Sequence, residues 1–192
     1  SAPPTPGTLG GSTTVCATSN SATLTLSGNS VAPTRYESST VSDFSSNVTT
    51  INNTTTSLAV SGLSQTTYYR AVVISGPCTT YSTTATVTVN AASVGGSVSG
   101  GKVVCTGTNS TTFTLSGNTG TIQWQSSTTS AATGFANISA ATSASYTATN
   151  RTIKTYYRAA VTNGVCAAAN SSVDSVIVNP ASVGAVSYTH LT

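Results

Sequence analysis

The chain repeats itself with a period of 88 to 89 residues, and this repeat constrains the fold more than any other feature. The segment "TTYYRAVVISGPC" ends at Cys78, and "KTYYRAAVTNGVC" ends at Cys166. Seven pairs of residues share the period: Cys16 with Cys105, Leu24 with Phe113, Tyr36 with Trp124, Leu58 with Tyr146, Tyr69 with Tyr157, Cys78 with Cys166 and Val89 with Val178. A unit of this length can bury a core of its own. The sequence therefore predicts two tandem domains, residues 1–90 and 91–179.

Each repeat is predicted to consist of β-strands. The segments "SATLTLSG" and "TTFTLSG" alternate apolar and polar residues, as a strand with one buried face does, and so do "TATVTV" and "DSVIV". β-branched residues dominate, and no window shows the apolar spacing of a helix. About seven short strands in a unit of this length are typical of a two-sheet sandwich. We therefore expect an all-β protein.

Charged residues are scarce. Asp, Glu, Lys and Arg make up 5% of the chain, against roughly 25% in an average soluble domain. The net charge of +3 comes from scattered basic residues, and no cluster of them could neutralise a row of phosphates. No apolar run has the length of a membrane helix. These patterns argue against nucleic-acid binding and against membrane insertion.

Large aromatic side chains are expected in both cores. Tyr36 and Trp124 share one repeat position, about 20 residues after the first cysteine, where an immunoglobulin-type sandwich buries a large ring. Tyr69 and Tyr157 share a second repeat position and are also expected in the cores. Leu63 precedes Tyr69 by six residues, as in the tyrosine corner of immunoglobulin and fibronectin type III domains, whereas the second repeat departs from this motif with Arg151 at the leucine position.

The succession of "TLSGN", "IQWQSS", "TYYRA" and "VNP" between the cysteines resembles the tandem immunoglobulin-like repeats of very large bacterial surface proteins. The resemblance covers both repeats and is closest in the second. It implies two immunoglobulin-like sandwiches, stacked end to end in a bacterial extracellular filament, surface appendage or adhesin stalk. The expected partners are further copies in a fibre or neighbouring repeats. Two alternatives stay open: a carbohydrate-binding adhesin module whose partners are surface glycans, and spacer domains of a larger secreted enzyme.

Two cysteines in each repeat predict disulfide bonds. Repeat symmetry favours pairing of Cys16 with Cys78 and of Cys105 with Cys166 over the other two connectivities. Such bonds predict an oxidising environment at the cell surface. Free buried thiols are the alternative. A zinc site is disfavoured because no two cysteines form a CxxC pair.

Side chains for catalysis are few in this sequence. Its carboxylic residues are Glu37, Asp43 and Asp174, and its one histidine is His190. Acid–base pairs, nucleophile triads and metal clusters need more of these groups. We therefore expect no enzyme activity, no cofactor and no metal. Glu37 and Asp43 could share a cation in the first repeat, but Gln125 stands at the position of Glu37 in the second, so we interpret them as solvated side chains.

Adjacent residues of a strand point to opposite faces, so buried Tyr69 and Tyr157 would place their neighbours on the outer face. These neighbours are Tyr68, Arg70, Tyr156 and Arg158. An arginine beside a tyrosine on an exposed strand could stack on a sugar ring. Packing across the strands is the favoured interpretation.

Three residues are candidate glycosylation sites. Ser175 follows an aspartate and precedes a valine, as in bacterial O-glycosylation sites of proteins with similar repeats. Asn47 and Asn137 each begin an Asn-X-Ser/Thr sequon. A glycan coat would hydrate a surface that carries few charges.

Residues 180–192 are predicted to begin a third repeat or a linker. The segment "ASVGAVS" matches the opening strand "ASVGGSVS" of the second repeat, so Val183 and Ala185 are candidates for a strand that adds to a sheet of another subunit. Continuation into a covalent third domain is the alternative. His190 lies in "SYTHLT", which looks like a translated sequencing adaptor, and it is left out of the functional interpretation.

Overall fold

The computed structural model describes residues 2–181, and this part of the chain consists of strands, turns and bends without a helix. It forms two compact units, residues 2–92 with Asn163–Ala167 and Ser93–Thr162 with residues 168–181. The prediction of an all-β fold with two tandem immunoglobulin-like sandwiches is confirmed.

The first unit contains two facing sheets. One sheet has the strand order β1-β3-β6, and the other has the order β2-β9-β7-β4-β5 with β8 also paired to β7. The strands are β1 Thr8–Gly10, β2 Thr13–Cys16, β3 Ser21–Ser27, β4 Arg35–Ser39, β5 Thr49–Ile51, β6 Ser57–Ser61, β7 Thr67–Ser75, β8 Cys78–Tyr81 and β9 Ala85–Asn90.

The second unit repeats this arrangement strand by strand. Its sheets have the orders β10-β12-β15 and β11-β18-β16-β13-β14, with β17 also paired to β16. The strands are β10 Ser97–Ser99, β11 Lys102–Cys105, β12 Ser110–Ser116, β13 Thr121–Ser127, β14 Ala136–Asn137, β15 Ser145–Thr149, β16 Thr155–Thr162, β17 Ala169–Asn170 and β18 Asp174–Asn179.

The opening strand of each repeat passes from one sheet to the other at a glycine. In the first unit, β1 pairs antiparallel with β3, and after Gly11 the chain continues as β2, parallel to β9. Gly11 has a φ angle of 97°, and its counterpart Gly100 has 112°. A Cβ atom at either position would also overlap the neighbouring strand's backbone. Glycine is therefore required where the strand changes sheet, and this division contributes one of the nine strands of each unit.

The alternating apolar residues predicted in the sequence form one core per unit. Along β12 the burial alternates at every residue, and Phe113 and Leu115 point inward. The first core contains Leu9, Leu24, Leu26, Tyr36, Leu58, Tyr69, Ala71, Ala85 and Val87. The second contains Val98, Phe113, Leu115, Trp124, Ala148, Tyr157, Ala159, Val161 and Val176.

An asparagine fixes the loop before the central strand in both units. The Asn20 side chain donates to the carbonyl oxygen of Leu63 at 2.7 Å and accepts from its backbone N–H at 2.7 Å. Asn109 makes the same pair of bonds with Arg151, at 2.8 and 2.9 Å. Sequence reasoning missed this role. The recurrence of asparagine at the repeat period was the signal that could have revealed it.

Candidate functional site

One disulfide, between Cys16 and Cys166, is present in the described part of the chain, and Cys78 and Cys105 are free thiols. The predicted bonds Cys16–Cys78 and Cys105–Cys166 are therefore wrong. The observed bond joins the first cysteine of one sequence repeat to the second cysteine of the next repeat.

The two cysteines of one repeat cannot pair because they lie at opposite ends of the same sheet. β2 ends with Cys16 beside Asn90, the last residue of β9, and β9 pairs with the start of β7. Cys78 follows the end of β7. The nine residues of β7 span about 30 Å at roughly 3.3 Å per residue. A disulfide needs Cα atoms within about 7 Å of one another.

The disulfide attaches a turn of the second repeat to the first compact unit. The turn Asn163–Ala167 follows β16 in the sequence but belongs to the first compact unit, with residues 2–92. The Cα atoms of Cys16 and Cys166 are 5.0 Å apart, and Cys166 is buried.

Further contacts of this turn involve the end of β9. The side-chain amide of Asn163 donates to the carbonyl oxygen of Ala91 at 2.9 Å. A Cβ atom on Gly164 would overlap the Asn90 side chain. The turn therefore fits the end of the first sheet by shape and by hydrogen bonding as well as by the covalent bond.

The four aromatic residues assigned to the cores are buried in the structure. Tyr36, Trp124 and Tyr157 are fully buried, and Tyr69 is nearly so. In the second unit Trp124 packs against Phe113 and Tyr146, with ring centroids 6.4 and 6.0 Å away.

A charged cluster lies on the outer face of the first unit. Glu37 on β4 is paired across the strands with Arg70 on β7. Its carboxylate accepts from Arg70 at 2.7 Å and from Arg35 at 3.0 Å. The Arg70 guanidinium also lies 4.2 Å from the ring centroid of Phe44 and 3.9 Å from that of Tyr81. Glu37 is 6% exposed, so its interpretation as a solvated side chain is wrong.

The second unit has a smaller cluster at the same position of the repeat, without the carboxylate. Gln125 stands at the position of Glu37 and accepts from Arg158 at 2.8 Å. The Arg158 guanidinium lies 4.1 Å from the ring centroid of Phe135. Both arginines therefore stack on rings of the protein itself, which is packing across strands.

Glu37→Gln is expected to lower the stability of the first unit at neutral pH by about 1 to 3 kcal/mol, because charge-assisted bonds become ordinary ones. Burial alone would raise the pKa of Glu37, but the hydrogen bonds and charges of Arg70 and Arg35 outweigh it and lower the pKa. The carboxylate therefore stabilises the fold above its unfolded-state pKa, and this contribution is lost as the pH falls through the lower folded-state pKa. Urea unfolding between neutral and strongly acidic pH measures the difference.

Gln125→Glu is the matched control, since it places a carboxylate beside Arg158 in the second unit. It should make the stability of that unit depend on acidic pH in the same direction. A difference between wild type and Glu37→Gln that stays constant down to strongly acidic pH would contradict the ion-pair argument.

The candidate glycosylation residues lie in different surroundings. Asn47 is exposed in a loop, and Asn137 is exposed on the short strand β14. Ser175 is half-buried on β18, paired with Tyr156. Glycosylation at these residues stays a prediction. Val183, Ala185 and His190 lie outside the described residues.

A surface cleft of about 300 Å³ in the second unit is lined by Thr128, Asn150, Arg151, Thr152, Ile153 and Thr155. This lining has no aromatic ring and no carboxylate. Within residues 2–181, no three His, Cys, Asp or Glu side chains are grouped so that they could hold a metal ion. Over the same range, no helix is long and apolar enough to cross a membrane.

Solved structures with a similar fold include murine CEACAM1b, with 13% sequence identity, a TM-score of 0.51, and coverage of 86% of this chain and 96% of that chain. A chain in the complex of the mouse coronavirus receptor-binding domain with its murine receptor has 12% identity, a TM-score of 0.56 and the same coverage. These likenesses concern the fold alone.

No curated protein sequence matches the chain. A family model matches residues 5–91 and again residues 94–180, so the chain belongs to the family described as a domain of unknown function (DUF8696), of which it contains two consecutive copies.

Proposed function

We propose that this chain is a structural segment of a bacterial extracellular filament, surface appendage or adhesin stalk. The coarser statement, a tandem-repeat or spacer segment of immunoglobulin-like domains, follows from the fold and the duplicated family match. The observation that carries the finer proposal is the Cys16–Cys166 disulfide, which links consecutive repeats. A covalent bond beyond the polypeptide itself suits a segment that must resist being pulled apart.

An extracellular location is part of the proposal. Disulfides persist in oxidising compartments, and they are rare where thiols are kept reduced. The support for a structural role is therefore the architecture together with the cross-link.

Immunoelectron microscopy with an antibody raised against this chain would test the proposed function on cells that express the native protein. We expect label on extended material outside the cell envelope. Antibody absorbed beforehand with the purified chain is the control and should remove the label. Label confined to the cytoplasm would contradict the proposal.

The carbohydrate-binding alternative requires aromatic side chains exposed together. The aromatic rings near Arg70 are instead engaged with its guanidinium, and the described cleft has no ring in its lining. No contact in residues 2–181 therefore favours this alternative over a structural role. The alternative of spacer domains in a larger secreted enzyme predicts the same structure for this chain. It differs from the filament proposal only in requiring a catalytic domain elsewhere in the polypeptide.

Strand addition by Val183 and Ala185 stays a prediction about how subunits join, because both residues lie outside the described part. The described residues instead offer a different means of joining, through their free cysteines.

A further inference from the structure

We infer that Cys105 forms a disulfide with Cys78 of a second copy of this chain, so that copies join head to tail. This inference rests on the proposed function and names the partner: another DUF8696 repeat. The first cysteine of each repeat, Cys16 or Cys105, is called the strand-end cysteine. The second, Cys78 or Cys166, is called the turn cysteine.

Each free thiol is the repeat counterpart of one sulfur in the observed disulfide. Cys105 corresponds to Cys16, and Cys78 corresponds to Cys166. The chain therefore contains one completed pair, together with one unpaired cysteine of each type. A rule that pairs the strand-end cysteine of one repeat with the turn cysteine of the next leaves these two sulfurs without a partner among the described residues.

The surroundings of Cys105 reproduce those of Cys16. Cys16 lies beside Asn90, and the residue after it donates its backbone N–H to the Asn90 carbonyl at 2.9 Å. Cys105 lies beside Asn179, and the residue after it donates to the Asn179 carbonyl, also at 2.9 Å. Cys105 is exposed. The end of the second unit at Cys105 is thus built like the end of the first unit at Cys16, which is bonded to Cys166.

The turn that carries Cys78 reproduces the turn that carries Cys166. Gly76 and Gly164 precede these cysteines by two residues and have φ angles of 57° and 55°. Gly164 packs against the side chain of Asn90, whereas a Cβ atom at Gly76 would meet nothing within 4 Å. The same turn is therefore engaged in the second repeat and open in the first.

The positions of the two cysteine types allow the joint to repeat from one copy to the next. Within each sheet, the strand-end cysteine lies at one end of the central strand and the turn cysteine follows the other end. A joint between unlike ends can repeat from copy to copy, and it gives an open chain or a closed ring according to the rotation at the joint. A joint between like ends would stop at a dimer.

The bond requires an oxidant, which we take to be a small-molecule disulfide. The Cys105 thiolate attacks this disulfide, forms a mixed disulfide and releases one thiol. The Cys78 thiolate of a second copy then attacks the Cys105 sulfur and releases the second thiol. Two electrons and two protons pass from the two protein thiols to the oxidant, which is reduced to two thiols.

The test is incubation of the full 192-residue chain in a buffer of reduced and oxidised glutathione, followed by thiol blocking and non-reducing electrophoresis. We expect a ladder of disulfide-linked oligomers that collapses on reduction. Trypsin cuts after each Lys and Arg, which places the four cysteines on four separate peptides: 1–35, 71–102, 103–151 and 159–192. In the ladder, 71–102 should be linked to 103–151. A mixture of isotope-labelled and unlabelled chain should show that the two peptides come from different copies.

Cys78→Ser and Cys105→Ser are the matched variants. Each retains the 1–35 to 159–192 link, which verifies its fold, and each should lose every species larger than a dimer. Mixing the two variants should give a heterodimer through the one remaining Cys78 and the one remaining Cys105, in excess over both symmetric dimers.

Three results would overturn the inference: no oligomers, a Cys78–Cys105 bond within one copy, or symmetric links as abundant as mixed ones. Extended labelled material outside the cell together with any of these results would leave the proposed function standing and remove only this joint. If immunoelectron microscopy showed no extracellular label but electrophoresis showed the full ladder, the joint between copies would stand and the proposed function would be contradicted.

Discussion

Trp124→Ala is expected to lower the free energy of unfolding of the second unit by about 3 to 5 kcal/mol, the cost of removing a large aromatic ring from a core. Trp124 is fully buried and contacts the rings of Phe113 and Tyr146. Its indole N–H donates to the carbonyl oxygen of Ser143 at 2.8 Å. The substitution removes these ring contacts together with the indole hydrogen bond.

Denaturant unfolding followed by far-UV circular dichroism is the appropriate measurement, because Trp124 is the one tryptophan of the chain and its fluorescence is lost in the variant. In the wild-type protein, the same fluorescence identifies the transition of the second unit. Ile153→Ala is the control, since Ile153 is 57% exposed, and it should change stability by no more than about 0.5 kcal/mol. A loss below about 1 kcal/mol for Trp124→Ala would show that the ring contributes little to the core.

The aromatic core was predictable because one position of the repeat carries a large ring in both copies. Tyr36 takes the place of Trp124 in the first unit, and its hydroxyl donates to the carbonyl oxygen of Thr55 at 2.8 Å. Thr55 and Ser143 are themselves separated by the repeat period. The ring and its polar contact therefore recur together, although only the ring is visible in the sequence.

The cysteine pairing was not predictable from repeat symmetry alone. Symmetry requires that every repeat be treated alike, and pairing each repeat with the next one meets this requirement as well as pairing within a repeat does. The choice depends on which end of the sheet each cysteine occupies. That position follows from strand pairing between distant segments, such as β2 with β9, which alternation along a strand does not encode.

The burial of Glu37 was missed for a related reason. Sequence alternation places Glu37 on the outer face of its sheet, and an outer face is normally solvated. Arg35 and Arg70 cover it in the structure, and Phe44 packs on the Arg70 guanidinium. Phe44 comes from the loop after β4, and loops of this kind leave no periodic signal that would locate their side chains.

Replacing both Cys16 and Cys166 with serine should lower the free energy of unfolding of the first unit by about 2 to 5 kcal/mol, because the bond restricts the unfolded chain. The two cysteines are 150 residues apart in sequence, so the loop they close is among the long ones for which this effect is largest. Denaturant unfolding of the purified variant measures the loss, and reduction of the wild-type protein should reproduce it.

Replacing both Cys78 and Cys105 with serine is the matched control, and it separates the two pairing patterns. These thiols are free, so their removal should change stability by no more than about 0.5 kcal/mol, and reduction should destabilise this variant as much as it does the wild type. Bonds within each repeat would make the two double variants equally costly. An equal loss in both would therefore contradict the Cys16–Cys166 bond, and the joint between copies inferred from it would be contradicted at the same time.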